Sequence, residues 1–209
     1  MPALMPEEFE TFRLKIRDFV ENELDPISLE IEQHTKIPED MVDRMRQLGL
    51  FGLSIPGEYG GLGLSTLQEV IIYEEITRTN ACHRSRIGTS NGIGSMGILY
   101  DGTEEQKRKY LPRIASGEWT ASFALTEPDA GSDAANISTS AVLKEDHWVL
   151  NGTKQFITNA DTARVFTTIA VTDEKKRARG GVTAFIVEQG MPGFFVGPAD
   201  LKMGLKGSH

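Results

Sequence analysis

The pattern of apolar residues changes once along the chain, near Gly117, and this change limits the possible folds more than any single motif. Before Gly117, apolar residues recur at steps of three and four, as Phe9, Phe12 and Ile16 do, which is typical of amphipathic helices. After it, short runs rich in β-branched and aromatic residues are separated by turn residues. A helical block followed by a β block, without alternation, predicts an α+β fold.

Local signals define the ends of several predicted helices. Capping boxes formed by Ser65 with Gln68 and by Thr103 with Gln106 mark two helix starts, and Gly49 is a candidate C-terminal cap. Helices are expected over residues 7–20, 41–48, 66–77 and 104–114.

The second half of the chain predicts an antiparallel sheet. Strands are expected at residues 120–125, 138–143, 148–150, 156–158, 165–171 and 182–187. The Asn151-Gly152 pair favours a tight type I′ hairpin, and residues 173–181 (DEKKRARGG) are expected to form an exposed, charged loop. The predicted architecture is an N-terminal helical domain, residues 1–117, followed by an antiparallel, β-barrel-like middle domain, residues 118–209.

Charge and composition exclude several kinds of partner. The 209 residues carry 22 Lys and Arg against 30 Asp and Glu, a formal charge of −8, which argues against nucleic-acid binding. The single cysteine, Cys82, cannot close an intrachain disulfide, and the four histidines lack metal-ligand spacing. No apolar run approaches the roughly 20 residues of a transmembrane helix, and Glu7 and Glu8 lie where a signal peptide would be basic. The expected location is the cytoplasm or another reducing compartment.

Two short motifs invite functional interpretations that their contexts do not support. Residues 92–97 (GIGSMG) match the dinucleotide fingerprint Gly-x-Gly-x-x-Gly, but no buried strand is predicted before them, so close helix packing is the preferred interpretation. A nicotinamide-linked dehydrogenase is the alternative, and it requires such a strand. We interpret the neighbours Cys82 and His83 as a packing thiol beside a partly exposed histidine, not as a nucleophile and its base.

A polar loop after the first predicted strand is the strongest candidate binding site. Residues 123–133 (FALTEPDAGSD) lead from a strand into a proline-broken loop, whose backbone N–H groups and Ser132 hydroxyl could hold a phosphate. Phe156 and Thr158, on a neighbouring predicted strand, add an aromatic ring and a hydroxyl. These groups suit a flat heteroaromatic ligand with a pyrophosphate tail. The alternative is that each segment is only a strand end or a hairpin.

Residues 125–133 (LTEPDAGSD) resemble the first signature of the acyl-CoA dehydrogenases, the FAD enzymes that desaturate acyl-CoA thioesters. Further matches follow in the family's order along the whole chain: residues 58–64 (EYGGLGL), 102–107 (GTEEQK), 151–154 (NGTK), 157–159 (ITN) and 202–204 (KMG). The family has an N-terminal helical domain, a middle β domain and a C-terminal helical bundle. The resemblance implies that this chain has the first two, that the bundle is absent from it, and that FAD lies between the middle and C-terminal domains, across a subunit interface.

The resemblance implies which residues border the flavin ring. Phe123, Leu125 and Thr126 would lie beside it, the last two with backbone and hydroxyl hydrogen bonds. Phe156 takes the place of the family's usual Trp against the flavin, and Thr158 matches a hydroxyl residue two positions later. The change from Trp to Phe keeps an apolar ring but loses an indole N–H, so FAD binding is expected to survive the change.

The resemblance also implies the reaction and its partners. Gly131 and Ser132 would meet the FAD pyrophosphate, and Ser132 would also contact the acyl-CoA substrate. The reaction would desaturate an acyl-CoA to a trans-2-enoyl-CoA and pass the electrons to an electron-transferring flavoprotein. The family's catalytic base is a glutamate in the C-terminal domain, outside this chain, and Glu127 is expected to order its loop instead. A homodimer or homotetramer is expected.

One feature bears on the choice of substrate. Residues 83–86 (HRSR) are similar to the Tyr-Arg-Ser run of the glutaryl-CoA branch, where that arginine faces the distal carboxylate of the substrate. An Arg guanidinium pairs bidentately with a carboxylate, so Arg84 is the first candidate, and Arg86 the second, for binding a dicarboxylate-derived acyl-CoA. Thr77 departs from that branch, which has an acidic residue there. The alternative is a surface pair that contacts solvent or a neighbouring subunit.

Two other functions stay open on sequence grounds. Related flavoproteins with this fold act as oxidases, monooxygenases or desulfinases, and the identity of the base would separate these from a dehydrogenase. A short chain of this fold could also be a binding or assembly module without catalytic activity.

Overall fold

The structure, a computed structural model, describes residues 6–209. Its first part is helical, with a π-helical turn, Val20–Leu24, after the first helix. The α-helices are α1 (Pro6–Phe19), α2 (Ser28–His34), α3 (Glu39–Gln47), α4 (Thr66–Ile76), α5 (Cys82–Asn91), α6 (Met96–Asp101) and α7 (Glu104–Ala115). Within the described range, no helix is both long enough and apolar enough to cross a bilayer.

The predicted helix ends are confirmed by their hydrogen bonds. The Ser65 hydroxyl accepts the Gln68 N–H (3.4 Å), and the Gln68 side chain accepts the Ser65 N–H (3.0 Å), which completes the capping box of α4. Thr103 begins α7 in the same way. Gly49 has a φ of +72° after α3, a left-handed conformation that glycine adopts without a steric penalty.

The second part is a five-stranded sheet, and it corrects the expectation of a purely antiparallel one. Its strands are β1 (Thr120–Ala124), β2 (Ser140–Lys144), β3 (His147–Asn151), β4 (Ala163–Val171) and β5 (Val182–Glu188). β4 is central: it pairs antiparallel with β5 but parallel with β1, and it meets β2 in parallel at one residue pair. The parallel pairing is possible because residues 125–162 form a long connection that returns the chain beside β1 in the same direction. The α+β class is confirmed, with a mixed sheet.

Two local predictions in the sheet are wrong. The β2–β3 hairpin turns at Glu145 and Asp146, with Glu145 at φ +54°, and not at Asn151-Gly152. Gly152 instead lies against Thr139, so closely that a Cβ would overlap the Thr139 side chain. Residues 156–158 form no strand because Phe156 has a φ of +58°, which an extended strand excludes.

The glycine-rich residues 92–97 pack against the sheet, as their preferred interpretation requires. They follow helix α5 and not a strand, which rules out a dinucleotide fingerprint. A Cβ on Gly94 would lie 2.7 Å from the Thr89 carbonyl oxygen and 2.9 Å from that of Ala121 in β1. Glycine therefore allows α5 and the turn after it to approach β1, and this contact positions the strand that leads to the candidate site.

Candidate functional site

The site begins where β1 ends and a second loop runs beside it. The Thr126 carbonyl oxygen accepts the Gln155 N–H (2.8 Å), and the Ser122 hydroxyl donates to the Thr158 carbonyl oxygen (2.7 Å). These two bonds hold residues 153–158 along the carboxyl end of β1. The structure thus brings the backbone of the predicted pair Leu125 and Thr126 beside that of Phe156 and Thr158.

Glu127 fixes the loop that follows β1. Its buried carboxylate accepts hydrogen bonds from the Ser138 N–H (2.6 Å), the Ser138 hydroxyl (2.7 Å), the Thr139 N–H (2.9 Å) and the Lys154 ammonium (2.8 Å). Burial alone would raise the pKa of Glu127, but the hydrogen bonds from Lys154, Thr139 and Ser138 outweigh burial and hold the pKa well below its usual range. The expectation that Glu127 orders its loop is confirmed.

Lys154 joins the two loops of the site. Its ammonium group donates to the Leu125 carbonyl oxygen (2.9 Å) as well as to Glu127, and its side chain is only 11% exposed. Lys154 lies within residues 151–154 (NGTK), but the sequence alone indicates no role for it. A lysine whose partners are a loop carbonyl and a glutamate 27 residues earlier in the chain leaves no local signal.

Phe156 is an exposed aromatic residue in a strained backbone conformation. Its φ of +58° is unusual for a bulky residue and costs about 1–2 kcal/mol, and its side chain is 69% exposed. The flanking bonds of Gln155 and Thr158 to the β1 segment hold this conformation. Strain of this kind clusters at ligand sites, so the uncovered ring marks a candidate binding surface.

Gly131 and Ser132 lie on the exposed part of the loop. A Cβ added to Gly131 would meet nothing within 4 Å, and its φ is not positive, so the chain itself does not require glycine there. Among residues 6–209, the hydroxyls of Thr126, Ser132 and Thr158 find no hydrogen-bond partner. The loop therefore offers open space and free donors, which suits a ligand with acceptor atoms.

Asn159 ties the site to helix α5. It is buried, with a φ of +63°, and its side-chain amide donates to the Ser85 carbonyl oxygen (2.9 Å) and the Thr89 hydroxyl (2.8 Å). The sequence did not predict this role for Asn159, although Asn is the non-glycine residue that adopts left-handed conformations most readily. The bond to Ser85 fixes the backbone next to Arg84.

The structure separates Arg84 from Arg86. The exposed Arg84 side chain folds along its own helix toward Gly88, and its guanidinium carbon lies 4.8 Å from the ring centroid of Tyr73. Arg86 is buried, donates to the Thr120 hydroxyl (2.7 Å) and packs over Phe51. Arg84 is therefore available to a ligand, whereas Arg86 is occupied at the contact between α5 and the sheet.

The environment of His83 differs from the expected one. The side chain is fully buried and not partly exposed, because α5 turns this residue toward the protein interior, and neither ring nitrogen has a hydrogen-bond partner. Burial lowers the pKa of His83 to about 4 and raises the pKa of the Cys82 thiol to about 12. A neutral imidazole and a protonated thiol do not form a nucleophile and base pair. No His, Cys, Asp and Glu cluster that could hold a metal occurs in residues 6–209.

Comparison with protein families matches nearly the whole chain. The model for the acyl-CoA dehydrogenase N-terminal domain matches residues 6–118, and the model for the acyl-CoA dehydrogenase middle domain matches residues 122–209. A protein named acyl-CoA dehydrogenase from Bacillus subtilis (strain 168) is 40% identical over 197 residues, which are 94% of this chain and 52% of that protein. The chain thus spans about half the length of the curated relatives it matches.

Solved structures agree with these matches. A glutaryl-coenzyme A dehydrogenase in complex with glutaryl-CoA superposes with a TM-score of 0.90 at 36% identity, over 100% of this chain and 53% of that one. An acyl-CoA dehydrogenase complexed with FAD from Bacillus anthracis has a TM-score of 0.83 at 38% identity, over 100% of this chain and 35% of that one. By domain content, sequence and fold, the chain belongs to the acyl-CoA dehydrogenase family.

Proposed function

We propose that this chain forms the FAD-binding part of an acyl-CoA dehydrogenase. The observation that carries this proposal is the strained, exposed ring of Phe156 beside the end of β1. The FAD complex of the relative from Bacillus anthracis supports the choice of cofactor. The proposed contacts are made by Phe123, Leu125, Thr126, Gly131, Ser132, Phe156 and Thr158.

The described residues fit a flavin nucleotide. Phe156 supplies an apolar surface to a flat ring, and the free hydroxyls of Thr126 and Thr158 can donate to ring heteroatoms. Gly131 has open space around it, and Ser132 is an exposed donor, so a pyrophosphate can approach the loop backbone there.

The proposed reaction is the α,β-desaturation of an acyl-CoA to a trans-2-enoyl-CoA. When bound, FAD supplies a two-electron acceptor for the hydrogen that leaves the β-carbon. The chain's own residues bind and orient the reactants, and Ser132 is proposed to contact the acyl-CoA. Glu127 is unsuited to be the base, because its carboxylate is buried, fully hydrogen-bonded and of lowered pKa. We propose that the base lies in the C-terminal domain of the full-length protein, as the resemblance to the family implies.

The proposed partners are those that the resemblance to the family implies. An electron-transferring flavoprotein would accept the electrons, and the subunits would form a homodimer or homotetramer in the cytoplasm. Two domains, residues 1–117 and 118–209, would supply the surfaces against which the remaining part of each subunit packs.

We further propose that the acyl group carries a second carboxylate, which Arg84 binds. Arg84 is exposed, and the Asn159–Ser85 bond fixes the adjacent backbone to the loop that carries Phe156. The Tyr73 ring, 4.8 Å from the guanidinium carbon, holds the side chain without neutralising it. The glutaryl-CoA complex of a related enzyme supports this choice of acyl group.

Anaerobic flavin bleaching tests both proposals. In the FAD-loaded full-length protein, the rate constant of flavin reduction divided by the substrate Kd is expected to be higher for glutaryl-CoA than for butyryl-CoA. An Arg84→Ala variant should lose about tenfold in this ratio for glutaryl-CoA only, because a bidentate carboxylate contact is removed.

Arg108→Ala, which removes an exposed arginine of α7, is the matched control and should leave both substrates unchanged. If Arg84→Ala does not affect glutaryl-CoA, the substrate proposal is wrong while the dehydrogenase proposal stands. If no acyl-CoA bleaches the flavin, the dehydrogenase proposal is wrong.

A further inference from the structure

A small polar cavity lies where the segment that leads into α3, helix α5 and the turn before β4 meet. Its volume is about 240 Å³, below the roughly 300–1,000 Å³ of pockets that hold drug-sized ligands. A cavity of this size suits a small ion and is too small for FAD or an acyl-CoA. The charged and polar residues that line it include Lys36, Glu39, Arg86, Asn159, Asp161 and His209.

Arg86 brings a buried positive charge to this cavity. The residue is only 8% exposed. One of its five N–H donors is used by the Thr120 hydroxyl (2.7 Å), and the guanidinium carbon lies 5.3 Å from the ring centroid of Phe51. These two partners are uncharged, and among residues 6–209 Arg86 forms no ion pair. Burial, and then the nearby Arg46, lower the pKa of Arg86, as expected for a cation without a counter-ion.

The two carboxylates that line the cavity already have other partners. Glu39 pairs with Arg46 at 3.0 Å, and Asp161 contacts Nδ1 of His209 at 2.7 Å. Both carboxylates favour the charged form of Arg86 through space, but neither reaches it as an ion pair. The guanidinium therefore keeps donors and charge that no carboxylate of the described chain satisfies.

Lys36 is a second cation at the same cavity. It is exposed, and in the described part of the chain it forms no ion pair or hydrogen bond. Its long, flexible side chain lets the ammonium group follow a ligand at the mouth of the cavity. A fixed, buried guanidinium and a mobile, exposed ammonium group thus line one small space.

We propose that this cavity is a binding site for a small oxyanion, a phosphate or a carboxylate, with Arg86 and Lys36 as its cationic ligands. A buried charge without a partner is costly, and an anion beside Arg86 removes that cost. The planar guanidinium can donate two parallel N–H bonds to two oxygens of either anion, and the ammonium group of Lys36 adds a point charge. The site goes beyond the proposed function, because it requires neither the flavin nor the acyl-CoA.

Thermal unfolding of the FAD-loaded full-length protein in phosphate, acetate and chloride at matched ionic strength tests the proposal. The unfolding temperature is expected to rise with the concentration of phosphate or acetate and to level off, because a ligand of the folded state stabilises that state. The concentration dependence gives a Kd for each anion, and the lower Kd identifies the preferred class of oxyanion. Equal unfolding temperatures in all three salts would overturn the proposal.

Two variants connect the effect to the cavity. Arg86→Gln keeps a donor for Thr120 but removes the charge, so it should bind the preferred anion at least about tenfold more weakly. Lys36→Ala removes an exposed charge and should bind the anion about threefold more weakly. Lys15→Ala is the matched control: it removes an exposed lysine of α1, and the Kd should not change.

The variants also separate a specific site from a general salt effect. Phosphate stabilises folded proteins without a site, but such stabilisation persists in every variant. An increase of the unfolding temperature that is the same in Arg86→Gln as in the unmodified protein would therefore overturn the proposal. If Arg86→Gln does not fold, Lys36→Ala and Lys15→Ala decide, and an equal Kd in these two variants would overturn it as well.

Discussion

A Glu127→Ala variant is expected to lose about 3–5 kcal/mol of unfolding free energy, the range for breaking a buried ion pair from one side. The change leaves the Lys154 ammonium, 11% exposed, without its carboxylate. It also leaves the N–H groups of Ser138 and Thr139 without acceptors. Denaturant unfolding of variant and unmodified protein measures the loss.

A matched variant separates burial from charge in this experiment. Glu23→Ala breaks an ion pair with Arg44 in which both side chains are about one-third exposed or more, so the expected loss is at most about 1 kcal/mol. Equal losses in the two variants would contradict the anchoring role of Glu127.

The contribution of Glu127 to the free energy of unfolding depends on pH in a definite direction. The pKa of Glu127 is lowered in the folded protein, so the unfolded chain takes up this proton first as the pH falls. The stabilisation is therefore complete above the ordinary carboxyl pKa of 4.5 and is lost progressively below it. The difference in unfolding free energy between the Glu127→Ala variant and the unmodified protein should shrink below pH 4.5 and stay constant above it.

Substitution of Phe156 is expected to separate cofactor binding from stability. Both Phe156→Ala and Phe156→Gly should bind FAD about tenfold more weakly, because an aromatic contact with the flavin ring is lost. Without FAD, Phe156→Gly should be about 1 kcal/mol more stable than Phe156→Ala, because glycine adopts the φ of +58° without steric cost. Fluorescence titration with FAD and denaturant unfolding measure the two effects.

Tyr100→Ala provides the control for loss of an exposed aromatic ring. Tyr100 is 73% exposed on α6, outside the candidate site, and its removal should leave FAD affinity unchanged. Unchanged FAD affinity in both Phe156 variants would contradict the assignment of this ring to the flavin.

The parts of the fold set by local sequence could be predicted. Three helix ends are fixed by contacts within a few residues, and the structure contains all of them. They are the capping boxes of Ser65 with Gln68 and of Thr103 with Gln106, and the C-terminal cap at Gly49. Strand partners could not be predicted in this way. Whether β1 pairs with β4 in parallel depends on where residues 125–162 return, which is a property of the whole domain.

The candidate site, like the fold, could be predicted from the sequence only in part. The residue types of the site could be recognised from the sequence, since Ser132 offers a hydroxyl that can donate a hydrogen bond to a phosphate and Phe156 offers an aromatic surface. The backbone conformation of Phe156 could not be predicted from the sequence. The β propensity of phenylalanine favours a strand, whereas hydrogen bonds to the β1 segment hold Phe156 at a positive φ. The burial of His83 was equally inaccessible, since α5 has no clear apolar face from which its orientation could be read.

A crystal structure of the FAD-loaded full-length protein tests the central claim most directly. We expect the isoalloxazine ring to lie within about 4 Å of the Phe156 side chain and to contact the carboxyl end of β1 as well. The pyrophosphate is expected beside Gly131 and Ser132. FAD bound with its ring away from Phe156, or with Gly131 and Ser132 on the opposite side of the sheet from that ring, would contradict it.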